Sequence, residues 1–115
     1  MAKRIAVLGE MLELGADAAQ QHHDLGLFAA EQGIDLVVAV GGINARILAA
    51  AAGAAGVPDV AIVGDNKTAT AFVASRLEPG DTVLVKGSRG GMHWQIAQQL
   101  AGQSVAEWGD WNRNG

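Results

Sequence analysis

The chain has 115 residues, of which 50% are hydrophobic and 17% charged, with 12 acidic and 8 basic side chains. This length predicts one compact domain with a single core, and the net charge of −4 argues against nucleic-acid partners, which need clustered basic side chains. The absence of cysteine excludes disulfide scaffolds and thiolate zinc sites and suits a reducing compartment. Because the apolar stretches are short or broken by glycine, we expect a cytoplasmic protein with no membrane contact.

Short apolar runs that end in glycine recur along the chain. They are rich in β-branched residues and apolar on both faces, which is typical of strands in a buried parallel sheet. These predicted strands cover residues 4–9, 35–41, 59–64 and 81–87.

The segments between the runs have helical character. The first is followed by Gly33, a typical helix stop, and the third follows Asp65, a typical N-cap residue. A strong turn, Glu78-Pro79-Gly80-Asp81, separates the third helix from the fourth strand. The predicted helices cover residues 17–32, 43–55, 68–77 and 92–101.

This alternation of strands and helices predicts an α/β fold. We expect a Rossmann-like three-layer α/β/α arrangement with a mostly parallel sheet of about four strands and right-handed crossovers. Ligands of such folds bind at the carboxyl ends of the strands. The tail at 103–115 carries Trp108 and Trp111 without periodicity, and we expect it to be irregular. The alternative is that the two tryptophans pack back onto the domain as a lid.

The loop after the fourth predicted strand reads Lys86-Gly87-Ser88-Arg89. Its glycine lets the backbone approach a ligand, and its two cations and hydroxyl suit a phosphate or a carboxylate. The alternative interpretation is a glycine turn with two solvated cations. No Walker loop is present, because the spacing of glycine, lysine and serine or threonine is wrong.

The loop after the first predicted strand contains two carboxylates, Glu10 and Glu13. Such a pair at the end of a strand can bind an amine, a metal or the nearby cations, or serve as general acid and base. The alternative is a short helical turn in which Met11, Leu12 and Leu14 pack while both glutamates face water.

The adjacent histidines His22 and His23 point about 100° apart on the first predicted helix, so they do not readily share a metal ion. We expect one of them to face the sheet or a loop and the other to face solvent. His93 stands alone in the last predicted helix, and we predict no metal site.

These segments together resemble a known family. Residues 4–15 (RIAVLGEMLELG), then His22 and Gly26, then residues 83–89 (VLVKGSR) are similar to the C-terminal domain of the Mur ligases, and the similarity extends over about residues 3–101. The resemblance implies an ATP-dependent, amide-forming ligase of bacterial peptidoglycan synthesis. It points to the members that add D-alanyl-D-alanine to UDP-MurNAc-tripeptide.

In that family the C-terminal domain is a lid that helps to hold the incoming substrate. The resemblance therefore implies that Lys86, Gly87, Ser88 and Arg89 bind the dipeptide carboxylate, with Glu10 or Glu13 near its ammonium group. It implies no catalytic residue and no cofactor in this chain, since ATP and Mg²⁺ belong to the complete ligase. Glu10 stands where the family more often has aspartate.

The resemblance also implies a domain division. Residues 1–102 would form the lid domain without its first strand and helix, followed by the irregular tail at 103–115. Such a domain would be inactive alone and would need the N-terminal and central ligase domains as partners. Two alternatives remain. One is a non-catalytic Rossmann-like binding or interaction module that self-associates through an exposed sheet edge. The other is a small independent enzyme that works through Glu10 and Lys86.

Overall fold

A computed structural model describes residues 3–11 and 15–86, and the backbone of residues 104–107. A short 3-10 turn, Gly15–Asp17, precedes the first helix. None of the helices in these ranges is long and apolar enough to cross a membrane. The strands are β1 (Arg4–Gly9), β2 (Leu36–Val40), β3 (Asp59–Val63), β4 (Thr82–Lys86) and β5 (Ser104–Glu107), and the helices are α1 (Ala18–Glu31), α2 (Ile43–Ala54) and α3 (Asn66–Arg76).

The strands form one parallel sheet in the order β3-β2-β1-β4-β5. The chain runs outward from β1 to β2 and β3, and α3 then carries it back to the other side of β1. The strand order therefore reverses between β1 and β4, which is where open α/β sheets bind ligands. This topology confirms the predicted Rossmann-like α/β fold.

The sheet has one more strand than the sequence predicted. Ser104–Glu107 pairs with β4 in parallel, with Thr82 opposite Ser104 and Val85 opposite Glu107. The prediction of an irregular tail was wrong for these four residues, because one short alternation gives too little pattern to indicate a strand. The domain boundary at residue 102 stays a prediction, and the helix predicted at 92–101 lies outside the described residues.

Both faces of the inner strands β1, β2 and β4 are buried, as the continuous apolar runs predicted, whereas β3 contains no fully buried residue. Alternate strand residues point to opposite faces, so the core has two parts. One part packs against α1 and α2, and the other against α3. The first contains Leu8, Val37 and Leu84 with Leu25 and Leu48 of the helices, and the second contains Val7, Val38 and Val83 with Ala69 and Val73 of α3.

Helices α1 and α2 pack closely at Gly26. A Cβ atom at this position would overlap the carbonyl oxygen of Leu48 and would lie 2.9 Å from the backbone nitrogen of Ala52. Only a residue without a side chain allows this approach of the two helix backbones.

An ionic cluster joins the start of β1 to the turn before β4. The buried Asp81 carboxylate accepts hydrogen bonds from the backbone N–H of Lys3 (2.8 Å) and of Glu78 (2.9 Å), and it lies 2.9 Å from Lys3 Nζ. Burial alone would raise the pKa of Asp81, but the hydrogen bonds from Lys3 and Glu78 outweigh it and hold the pKa below its usual value. The cluster lies at the amino ends of the strands, far from the loops with candidate site residues.

Candidate functional site

The predicted site residues come from loops at the carboxyl edge, meaning the side of the sheet where the strands end. Glu10 follows β1, and Lys86 is the last residue of β4. Leu8, two residues before Glu10, is the register partner of Lys86. The half-buried Glu10 and Lys86 therefore lie at the ends of the two strands between which the strand order reverses. The structure thus brings Glu10 and Lys86 to one edge. Within the described ranges no salt bridge joins them.

The Glu10 carboxylate contacts the first turn of α2. Its Oε2 accepts hydrogen bonds from the backbone N–H of Asn44 (2.9 Å) and of Ala45 (3.3 Å), while the Glu10 N–H donates to the Val40 carbonyl oxygen (3.2 Å). A carboxylate is favoured there because the first N–H groups of a helix lack partners inside it and carry partial positive charge. Glu10 is therefore a long-range cap of α2, and its Oε1 has no hydrogen-bond donor among the described residues.

Gly41 provides the space that the Glu10 side chain fills. A Cβ atom at Gly41 would lie 2.5 Å from Cγ, Cδ and Oε1 of Glu10. The backbone there also has φ of +140°, which L-residues other than glycine rarely adopt. In the sequence Gly41 was identified only as the glycine that ends the predicted strand at 35–41, so this role was missed.

The two histidines separate as the sequence predicted. His22 is fully buried, and its ring bonds both to α1 and to the loop after β1. His23 is exposed and lies 3.7 Å from the Asp24 carboxylate. In the part of the chain that the structure describes, no three histidine or acidic side chains form a group that could hold a metal ion.

The loop after β1 only partly follows either sequence interpretation. Met11 packs against the core, as the alternative interpretation predicted. The Glu10 carboxylate, however, binds α2 instead of facing water. Glu13 lies outside the described residues, so its role stays a prediction. The same holds for Gly87, Ser88 and Arg89 of the β4 loop.

The first turn of α2 does not fit a nucleotide phosphate. A phosphate at this helix start would need the N–H groups that already bind Glu10, and it would face that negative charge. The start of α2 is therefore occupied by Glu10 and does not hold a nucleotide phosphate.

Comparison with known proteins identifies the family. The family model described as "Mur ligase, glutamate ligase domain" matches residues 1–89. The UDP-N-acetylmuramoyl-tripeptide–D-alanyl-D-alanine ligase of Mycobacterium leprae is 34% identical over 103 residues, which cover 87% of this chain and 20% of the relative. The ligase of the same name from Mycobacterium bovis is 36% identical over 109 residues, which cover 83% and 21%.

Solved structures give the same result. Two crystal structures of MurF from Acinetobacter baumannii superpose with TM-scores of 0.68 and 0.63, at 29% and 30% sequence identity. They cover 87% and 84% of this chain, and the chain spans about a fifth of their length and of the curated relatives' length. The chain therefore belongs to the Mur ligase family and corresponds to the C-terminal domain of a MurF-type ligase.

Proposed function

We propose that this domain is the substrate-binding lid of a ligase that adds D-alanyl-D-alanine to UDP-MurNAc-tripeptide. Lys86 and the following Gly87, Ser88 and Arg89 bind the carboxylate of the dipeptide, and Glu10 or Glu13 faces its ammonium group. The domain supplies no catalytic residue and is inactive alone. The observation that carries this proposal is that Glu10 and Lys86 both lie at the carboxyl edge, at the ends of the two strands between which the strand order reverses.

The charges at this edge support the assignment. Lys86 ends a buried strand, and its ammonium group makes no salt bridge within the described ranges, so it is available to an incoming carboxylate. Glu10 uses Oε2 to cap α2 and keeps Oε1 for a donor such as a ligand ammonium group. Charge-assisted hydrogen bonds of this kind are among the stronger ones in proteins.

The complete ligase supplies what this domain lacks. ATP and Mg²⁺ act in the remaining domains, which are the partners of this lid. A cytoplasmic location agrees with the absence of cysteine.

Calorimetric titration of the chain with D-alanyl-D-alanine tests this proposal. The dipeptide amide, which lacks the carboxylate, and the N-acetyl dipeptide, which lacks the ammonium group, serve as matched ligands. We expect saturable heat with the dipeptide and more than tenfold weaker binding of the amide, because the amide loses the charge-assisted contacts to both Lys86 and Arg89. Equal affinity for the dipeptide and its amide, or no heat with the dipeptide at millimolar concentration, would contradict the proposal.

Two lysine variants localise the effect. Lys86→Ala should weaken dipeptide binding about tenfold, because it removes one of these charge-assisted contacts, and it should reduce the difference in affinity between the dipeptide and its amide. Lys67→Ala removes an exposed lysine in the first turn of α3 and is the matched control. A Lys86→Ala chain that binds the dipeptide like the Lys67→Ala chain would place the carboxylate elsewhere.

One feature favours the second candidate function, an interaction module that self-associates. Within the described residues β3 pairs on one side only, and its Ile62 side chain is 50% exposed. An unpaired strand edge with an apolar side chain can add a strand from a second copy. Concentration-dependent sedimentation that Ile62→Lys abolishes would support this candidate, whereas a monomer at all concentrations would refute it.

A further inference from the structure

His22 is a buried imidazole that the proposed binding does not use. His22 is 0% exposed, although the next residue of the same helix, His23, is open to solvent. A buried polar ring is costly unless its nitrogens have partners. Both of its nitrogens do. Nδ1 lies 2.6 Å from the Ala18 carbonyl oxygen, and Nε2 lies 2.8 Å from the backbone nitrogen of Met11.

These partners determine where the ring carries its proton. The Met11 N–H can only donate, so Nε2 must accept and carries no proton. The Ala18 carbonyl can only accept, so Nδ1 must carry the proton. A neutral imidazole with one donor and one acceptor satisfies both contacts. Lysine, phenylalanine or leucine would leave the Met11 N–H without this acceptor.

The contact at Met11 acts on the residue next to the candidate site. Glu10 is held by its own N–H to Val40 in β2 and by its carboxylate to α2, and Met11 is held by His22 from α1. Within these two residues, the chain that leaves β1 therefore forms hydrogen bonds with three different elements, β2, α2 and α1. Without the His22 contact, the backbone after Glu10 loses its attachment to α1.

We infer that His22 is a positioning residue, which fixes the Glu10–Met11 backbone through Nε2 and thereby sets the Glu10 carboxylate at the carboxyl edge. It acts through Glu10 and touches no substrate. Its effect on dipeptide binding rests on the proposed function, whereas its hold on Met11 does not.

Two substitutions separate this role from general packing. His22→Leu fills the space without an acceptor, whereas His22→Gln places an amide oxygen where Nε2 lies. Amide hydrogen exchange is followed at Met11 and, as a reporter of global stability, at Val38 in the buried strand β2. We expect His22→Leu to accelerate exchange at Met11 about fivefold more than at Val38, and His22→Gln to restore most of the protection. Equal acceleration at Met11 and Val38 in His22→Leu would overturn the inference.

The parent chain provides a test that needs no variant to fold. A nitrogen–nitrogen coupling between the Met11 amide and His22 Nε2 should appear in a spectrum of the ¹⁵N-labelled chain, with Nδ1 as the protonated nitrogen. A protonated Nε2 without this coupling would overturn the inference.

Dipeptide titration then separates the two proposals. His22→Leu should weaken D-alanyl-D-alanine binding about fivefold and His22→Gln less than twofold. If the parent chain binds no dipeptide, the proposed function fails, and the inference about His22 is decided by the Met11 exchange. If the parent binds and His22→Leu binds equally well, the inference fails and the proposed function stands.

Discussion

Replacing Asp81 by alanine should lower the free energy of unfolding by about 3 kcal/mol. The buried carboxylate accepts two backbone N–H groups, from Lys3 and Glu78, and lies beside the Lys3 ammonium group. A hydrogen bond to a charged group contributes roughly 1.5–3 kcal/mol. We count the two backbone contacts near the lower end of that range and give the Lys3 ammonium group no weight, because its side chain is 30% exposed and solvent partly screens its charge.

Urea unfolding followed by circular dichroism measures this change. A loss of about 3 kcal/mol corresponds to a decrease of roughly 12 °C in Tm for a domain of this size. Asp24→Ala is the matched control, since it removes an aspartate whose side chain is 57% exposed, and it should change stability by less than about 0.5 kcal/mol. An Asp81→Ala chain as stable as the Asp24→Ala chain would refute the reasoning.

Three further predictions concern helix packing, acid stability and the β4 loop. Gly26→Ala should lower the free energy of unfolding by about 2–3 kcal/mol, because the added Cβ would meet the α2 backbone. Gly53→Ala is the control and should be neutral or stabilising, because its Cβ would lie 3.7 Å from the nearest atom. Equal urea midpoints of the two variants would contradict this. The pKa values of Asp81 and Glu78 lie below the unfolded 3.8 and 4.5, so their contribution is present above about pH 4.5 and is lost as the pH falls through the folded values. The free energy of unfolding should therefore decline in acid, and it should decline less steeply in Asp81→Asn than in the parent chain. Parallel pH profiles of the two chains would contradict this prediction. Arg89→Ala, in a ligase that carries this domain, should raise the dipeptide KM about tenfold, and an unchanged KM would place Arg89 outside the pocket.

The first four strands were predictable because each contains a short apolar run rich in β-branched residues. Such runs indicate strands even at the sheet edge, where β3 is only partly buried. The predicted run at 59–64 corresponds to Asp59–Val63, and the one at 81–87 to Thr82–Lys86. The N-cap of α3 was also predictable, since Asp65 accepts the Thr68 N–H at 2.7 Å, and an aspartate before a helix has a local signature. Both signals lie within a few residues of the feature that they indicate.

The contacts that organise the candidate site have no such local signature. Glu10 caps a helix that begins more than thirty residues later in the chain, and His22 binds Met11 from the middle of α1. The first contact depends on the pairing of β1 with β2, and the second depends on how α1 packs over the end of β1. The chain order states neither. Sequence reasoning therefore placed Glu10 at the correct edge but paired it only with ligands, metal or nearby cations.

We propose that the dipeptide binds at the carboxyl edge between β1 and β4. A residue-resolved NMR titration of the ¹⁵N-labelled chain with D-alanyl-D-alanine tests this binding site most directly. We expect saturable shifts at Glu10, Met11 and Lys86, with the amides of α3 unchanged. Shifts centred on α3 or β3, or no shifts at millimolar dipeptide in a well-dispersed spectrum, would contradict it.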